Sequence, residues 1–167
     1  MTQDAGDSGN TLAAQVITML RTAGQTVAAA ESLTGGLVAA ALTSVPGASW
    51  AVRGGVVSYA TDLKASLLGV PQAMLTEHGA VYPAVASAMA NGVRQRLGAT
   101  FGVATTGVAG PDPADGQPVG TVHIAVSAED DTVVRTLALD GDRDLIRSLT
   151  VERSLALLLG RLREDIR

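Results

Sequence analysis

Short apolar runs of strand length alternate with segments of helical period along most of this chain, and that alternation constrains its fold more than any other feature. A helical segment beginning at Asn10, read as its N-cap, puts Leu12, Val16, Ile17 and Leu20 on one face and stops at Gly24. "TVAAA" (26–30) then reads as a buried strand, "TGGLVAAALTSV" (34–45) as a helix ending at Pro46-Gly47, and "RGGVVSYA" (53–60) as a second strand. "TDLKASLLG" (61–69) is a helix with Thr61 as cap and Gly69 as stop, and 83–97 a helix with Pro83 in its first turn. His78 falls in a loop, "TEHGA". "TFGVATT" (100–106) is a strand that runs into the loop "GVAGPDPADGQP" (107–118). Two further strands, "VGTVHIAVSA" (119–128) and "TVVRTLALD" (132–140), flank the acidic turn Glu129-Asp130-Asp131. A terminal helix over 142–165 buries Leu145, Ile146, Leu149, Leu155, Leu158, Leu159 and Leu162. Alternation first and a hairpin late predict one three-layer α/β/α domain over 10–167 with a mixed, mainly parallel sheet, behind an unstructured leader at 1–9.

Composition agrees with a layered core. Hydrophobic residues make up 47% of the 167 and charged ones 17%, which excludes a disordered tail or a coiled coil. Aromatics are only 2%, so Ala, Val and Leu must fill the interior, and 19 glycines among many alanines point to helices packed closely on a sheet. The net charge of −4, without a cluster of basic residues, argues against a nucleic-acid partner. The chain has no cysteine, which removes disulfides, thiolate zinc sites and a cysteine nucleophile. The N-terminus lacks the basic-then-apolar pattern of a signal peptide, and no apolar stretch reaches the roughly 18 residues of a membrane helix. A cytoplasmic protein without a membrane partner is expected.

In open α/β sheets ligands bind beyond the carboxyl ends of strands, and three such ends carry unusual residues here. After the first strand, Ser32 fits two roles: a helix cap, worth about 1 kcal/mol, or a nucleophile. Thr34, Gly35 and Gly36 follow it, where N–H groups at a helix start can hold an oxyanion or a phosphate. The stretch matches neither G-x-S-x-G nor S-x-x-K. After the second strand come Tyr59 and Lys64, the only lysine in the chain. Arginine does not deprotonate usefully, but a buried lysine can serve as a base; an ordinary exposed helix position is the other reading of Lys64. Tyr59 donates to a substrate, relays a proton or fills the sheet edge, and spacing does not separate these readings. His78 and His123 are the only imidazoles. After the third strand, Thr106 and Gly107 open a loop in which Asp112 and Asp115 lack the spacing of a metal site, so a shaped substrate loop is favoured and no metal is expected. Arg143, at the start of the terminal helix, suits either an anionic substrate group or a surface ion pair.

Together "AESLTGG", "VPGAS", "GGVVSYATDLKASLLGV", "EHGAV", "ATTGVAGPD", "PVGTVHIAV" and "GDRDLIR" follow in order the pattern of the CinA C-terminal domain family, which the chain resembles from about residue 11 to 165. Leu33 stands where that family commonly has Cys, Thr61 where Asn is frequent, and Tyr82-Pro83 where a capping Ser is usual. The family includes stand-alone nicotinamide-nucleotide amidohydrolases, and the chain resembles that form. The resemblance implies hydrolysis of the carboxamide of nicotinamide mononucleotide (NMN) to nicotinate mononucleotide and ammonia, with no cofactor or metal. It implies Ser32 as nucleophile, Lys64 as base, Tyr59 as a supporting catalytic group, Thr106 and Gly107 in the substrate pocket, and Arg143 toward the phosphate. A homodimer is expected from the same resemblance.

Overall fold

The strand β1 (Val27–Glu31) is buried at every residue, as a run covered on both faces must be. The computed structural model describes residues 4–165. Around β1 lie β2 (Val52–Val57), β3 (Phe101–Gly107), β4 (Thr121–Ser127) and β5 (Thr132–Ala138), in the order β2-β1-β3-β4-β5. β1 pairs in parallel with β2 and β3, whereas β3–β4 and β4–β5 are antiparallel. Four of the five strands therefore run one way, and the sheet is mixed as expected.

The helices are α1 (Asp4–Ala23), α2 (Leu37–Thr43), α3 (Thr61–Leu68), α4 (Gln72–His78), α5 (Pro83–Leu97) and α6 (Arg143–Asp165). Alternate strand residues point to opposite faces and divide the core in two. Val27, Ala29, Phe101, Val103 and Val126 pack against α1, α2 and α6. Ala28, Ala30, Ala104 and Ala125 pack against α5, with Leu68 of α3 and Leu75 of α4. The α/β/α layering follows.

Several local expectations change. α1 starts at Asp4, so Asn10 lies within the helix and is not its cap; of the expected leader, residues 1–3 lie outside the described residues. α2 starts at Leu37, not at Thr34, because Gly35 and Gly36 hold φ of 57° and 105°, left-handed values that break the helical path. Thr61 is the first residue of α3 and caps nothing; its N-cap is Ala60. His78 ends a helix, α4, where a loop was expected. Gly24, Gly69 and Pro83 sit where the helix stop and start signals put them.

Two glycines explain how an aromatic-poor core closes. A Cβ on Gly92 of α5 would fall on the carbonyl oxygen of Leu68 at the end of α3, and one on Gly102 of β3 would fall on the Ala90 carbonyl oxygen of α5. Backbone meets backbone there, with no room for a methyl group. At Gly160 in α6 an added Cβ meets nothing within 4 Å. The same substitution therefore has opposite signs at the two helical sites. Gly160→Ala gains helix propensity of up to about 1 kcal/mol. In Gly92→Ala that gain is outweighed by an overpacking cost of about 1–3 kcal/mol. Urea-unfolding midpoints above wild type for Gly160→Ala and below it for Gly92→Ala are expected; a rise for both contradicts the close packing.

Candidate functional site

β1, β2 and β3 point the same way, so the residues that follow them gather at one edge of the sheet. Ser32 leaves β1 there, 8% exposed, and its N–H donates to Thr105 O on β3 at 3.1 Å. It is not the cap of α2. That task falls to Glu31, 1% exposed, whose carboxylate accepts from Val38 N at 2.8 Å and Ala39 N at 3.1 Å, satisfying N–H groups in the first turn of α2. Thr34 Oγ1 donates to the same carboxylate at 2.6 Å and lies 2.8 Å from Thr105 Oγ1. Gly35 N closes the turn on Ser32 O at 3.1 Å, and Arg147 of α6 donates through Nε to Leu33 O at 3.0 Å. Ser32 thus sits on a turn pinned by a strand, a carboxylate and a guanidinium, with its hydroxyl left to face Lys64.

Lys64 lies in the first turn of α3 and is 1% exposed. Nζ is 2.9 Å from Ser32 Oγ, 2.6 Å from Ser58 O and 3.4 Å from Tyr59 O. None of these oxygens carries a formal charge, so burial disfavours the ammonium. The Lys64 pKa falls from 10.5 to about 8: desolvation lowers it, and the Asp115 carboxylate pulls the other way. The contacts suit both protonation states. An ammonium donates to all three oxygens, whereas a neutral amine donates to the two carbonyls and turns its lone pair toward the Ser32 hydroxyl.

Ser32 and Lys64 lie in a cavity of about 270 Å³, near the lower end of the size range of small-molecule sites. Arg143, the first residue of α6, donates to Tyr59 Oη at 3.0 Å and to Gly110 O at 2.6 Å, which ties the sheet edge to the loop after β3. Tyr59 and Arg143 both line the cavity and both remain exposed. Opposite contacts hold the other wall: Thr106 Oγ1 donates to Ala80 O at 2.8 Å, and Asp115 Oδ2 accepts from Ala80 N at 2.7 Å and Val81 N at 3.2 Å. Asp115 has φ of 51°, a left-handed value open to Asp and Asn. Among the described residues, a larger depression of about 550 Å³ beside Arg21 and Trp50 has no base next to its hydroxyls.

Of the residues singled out from the sequence, Ser32, Tyr59, Lys64, Thr106, Gly107 and Arg143 line the one cavity. Thr34, Gly35 and Gly36 do not: Thr34 is fully buried on Glu31 and Thr105, and the two glycines form the turn before α2. Neither histidine reaches the site. His78 stacks on Tyr82 at 4.0 Å between ring centroids, and His123 is buried in β4 with Nδ1 3.0 Å from Thr136 Oγ1, where burial lowers its pKa. Among the described residues no group of three or more His, Cys, Asp or Glu is placed to hold a metal. Sequence reasoning missed the parts played by Glu31, Thr105 and Arg147. A charge directly after "AAA" was the one visible signal for Glu31; nothing local marks the other two, which act across 73 and 114 positions of chain.

The sequence profile described as the CinA C-terminal domain matches residues 9–162. A CinA-like protein of Frankia casuarinae is 53% identical over 153 residues, 92% of this chain and 35% of that protein. The chain thus spans about a third of the length of that curated relative. Among solved structures, the competence/damage inducible protein CihA of Agrobacterium tumefaciens superposes with a TM-score of 0.88 at 40% identity, covering 92% of this chain and 94% of that one. A competence-damaged protein (CinA) superfamily protein of Escherichia coli gives a TM-score of 0.90 at 30% identity, covering 96% and 94%. With a profile match along nearly its whole length and relatives this similar, the chain belongs to the CinA C-terminal domain family.

Proposed function

We propose that the chain is an amidohydrolase that cleaves the carboxamide of NMN to nicotinate mononucleotide and ammonia, with Ser32 as nucleophile and Lys64 as base. The observation that carries the reading is the 2.9 Å contact between a buried lysine amine and a serine hydroxyl on a cavity wall. Neutral Lys64 takes the Ser32 proton as Oγ adds to the amide carbon. The ammonium so formed returns the proton to the amide nitrogen, which leaves as ammonia. Water then adds to the acyl-serine while Lys64 takes its proton and hands it back to Ser32 Oγ; the acid is released and the enzyme restored. Because Gly35 N–H is engaged within its turn, the oxyanion role falls to the N–H of Leu33, which follows the nucleophile and lines the cavity. Arg143 offers donors to the phosphate, with Tyr59 held beside it. A cytoplasmic homodimer is part of the same reading, supported for the dimer by the exposed Leu37, Trp50 and Val57 near the edge strand β2.

Purified protein is expected to release ammonia from NMN. Ser32→Ala and Lys64→Arg should each slow it by at least about a hundredfold, the latter because charge is kept while proton transfer is lost. Equal release by wild type and Ser32→Ala contradicts the nucleophile, and a fully active Lys64→Arg contradicts the base. Because the base must be neutral, kcat/KM should rise with pH through a midpoint near 8, where Lys64 loses its proton. A flat profile from roughly pH 6 to 9 contradicts the assignment. The same shift acts on stability in the same direction. Between pH 10.5 and about 8 the unfolded lysine binds a proton that the folded one does not, so this residue makes the fold less stable as pH falls through that window.

A further inference from the structure

The cavity is charged unevenly, and the catalytic pair does not use all of that charge. Arg143 is tied to Tyr59 and Gly110, while Asp115 is tied to the backbone of Ala80 and Val81, beside Thr106. The guanidinium of Arg143 and the carboxylate of Asp115, each held by its own anchors, therefore line the same small cavity, along with Asp112. Asp115 is oriented by two N–H donors to one of its oxygens, which pins the carboxylate and leaves the other oxygen available to a ligand. It also lies within electrostatic reach of the reaction centre, since its charge acts on Lys64.

We infer that Asp115 is a specificity-determining residue that selects a substrate carrying a positive charge on the ring that bears the amide, while Arg143 takes the negative charge at the ligand's far end. The inference rests on the amidohydrolase reading, whose substrate NMN is a zwitterion with its cation near the amide, and adds to it the residue that recognises that cation. The physical reason is complementarity. A neutral ring leaves Asp115 without a counter-charge, whereas a pyridinium supplies one beside the amide that Ser32 attacks. Asp115 makes no contact with Ser32 and moves no proton; its part is to recognise and orient.

NMN and its reduced dihydropyridine form share their size, amide and phosphate but differ in ring charge, so they separate this role from packing. Binding is measured by calorimetry in a Ser32→Ala background, which prevents turnover, with and without Asp115→Asn. The asparagine keeps an oxygen for the Ala80 and Val81 N–H groups and tolerates the left-handed backbone, so it removes charge with little else. Asp115→Asn is expected to weaken NMN about three- to tenfold, as for a partly screened charge pair, and to change the reduced form by less than about twofold. Asp115→Glu, which restores the charge, should restore the ratio of the two dissociation constants even if both rise. Equal weakening of both ligands in Asp115→Asn, or no weakening of NMN, overturns the role of Asp115 and leaves the amidohydrolase reading in place. Failure of the Ser32→Ala protein to bind either ligand overturns the nucleotide reading and this inference with it.

Discussion

One amine, taken out of water and placed against three uncharged oxygens, sets the terms for the rest of the site. An ammonium with no carboxylate in direct contact is costly to bury, and the protein meets that cost by lowering the Lys64 pKa to about 8. Two of the oxygens are carbonyls of the segment leaving β2, and the third is Ser32 Oγ leaving β1. The amine therefore stitches two neighbouring parallel strands at their carboxyl ends. Its position depends on α3, whose start brings Lys64 over the strand ends and whose end lies against Gly92 of α5 with no space between the backbones. Close packing of small residues and the electrostatics of the site are in this sense one feature.

Ser32 is positioned by residues that do not themselves line the cavity. Glu31 is buried under Ser32 and gives its carboxylate to the first turn of α2 and to Thr34, so strand, turn and helix are held by one side chain. Thr105 joins from β3, and Arg147 reaches across from α6 to the Leu33 carbonyl. A serine on a flexible loop would spend much of its time out of reach of the amine; this one is tied on every side.

Apart from α4, which was expected to be a loop, the order of elements was legible because it depends on local pattern. Buried β1 reads as a continuous apolar run, α5 announces itself by Pro83, and the 3.6-residue rhythm of α6 appears in its leucines, although Leu145, expected on the buried side, is exposed. What stayed hidden was set by tertiary contact. Ser32 read as a cap because the sequence does not say that Glu31 takes the capping role, and Thr34, Gly35 and Gly36 looked like the start of a helix that in fact begins three residues after Thr34, at Leu37. Asp115 could be seen only as a carboxylate without metal spacing; its orientation toward the Ala80 and Val81 N–H groups depends on a contact about 35 positions away. The lone lysine was the strongest clue in the sequence, though its burial was not visible there. Its depressed pKa comes from the fold.

That Lys64 is the only lysine in the chain makes the central claim directly measurable. Protein grown with lysine labelled at 13Cε or 15Nζ carries a single side-chain lysine signal, and its chemical shift can be followed against pH by NMR. A buried amine held ready as a base predicts one titration with a midpoint near 8, well below the 10.5 of a free lysine. A midpoint near 10.5 would show Lys64 fully charged at neutral pH and would contradict its assignment as the base for Ser32.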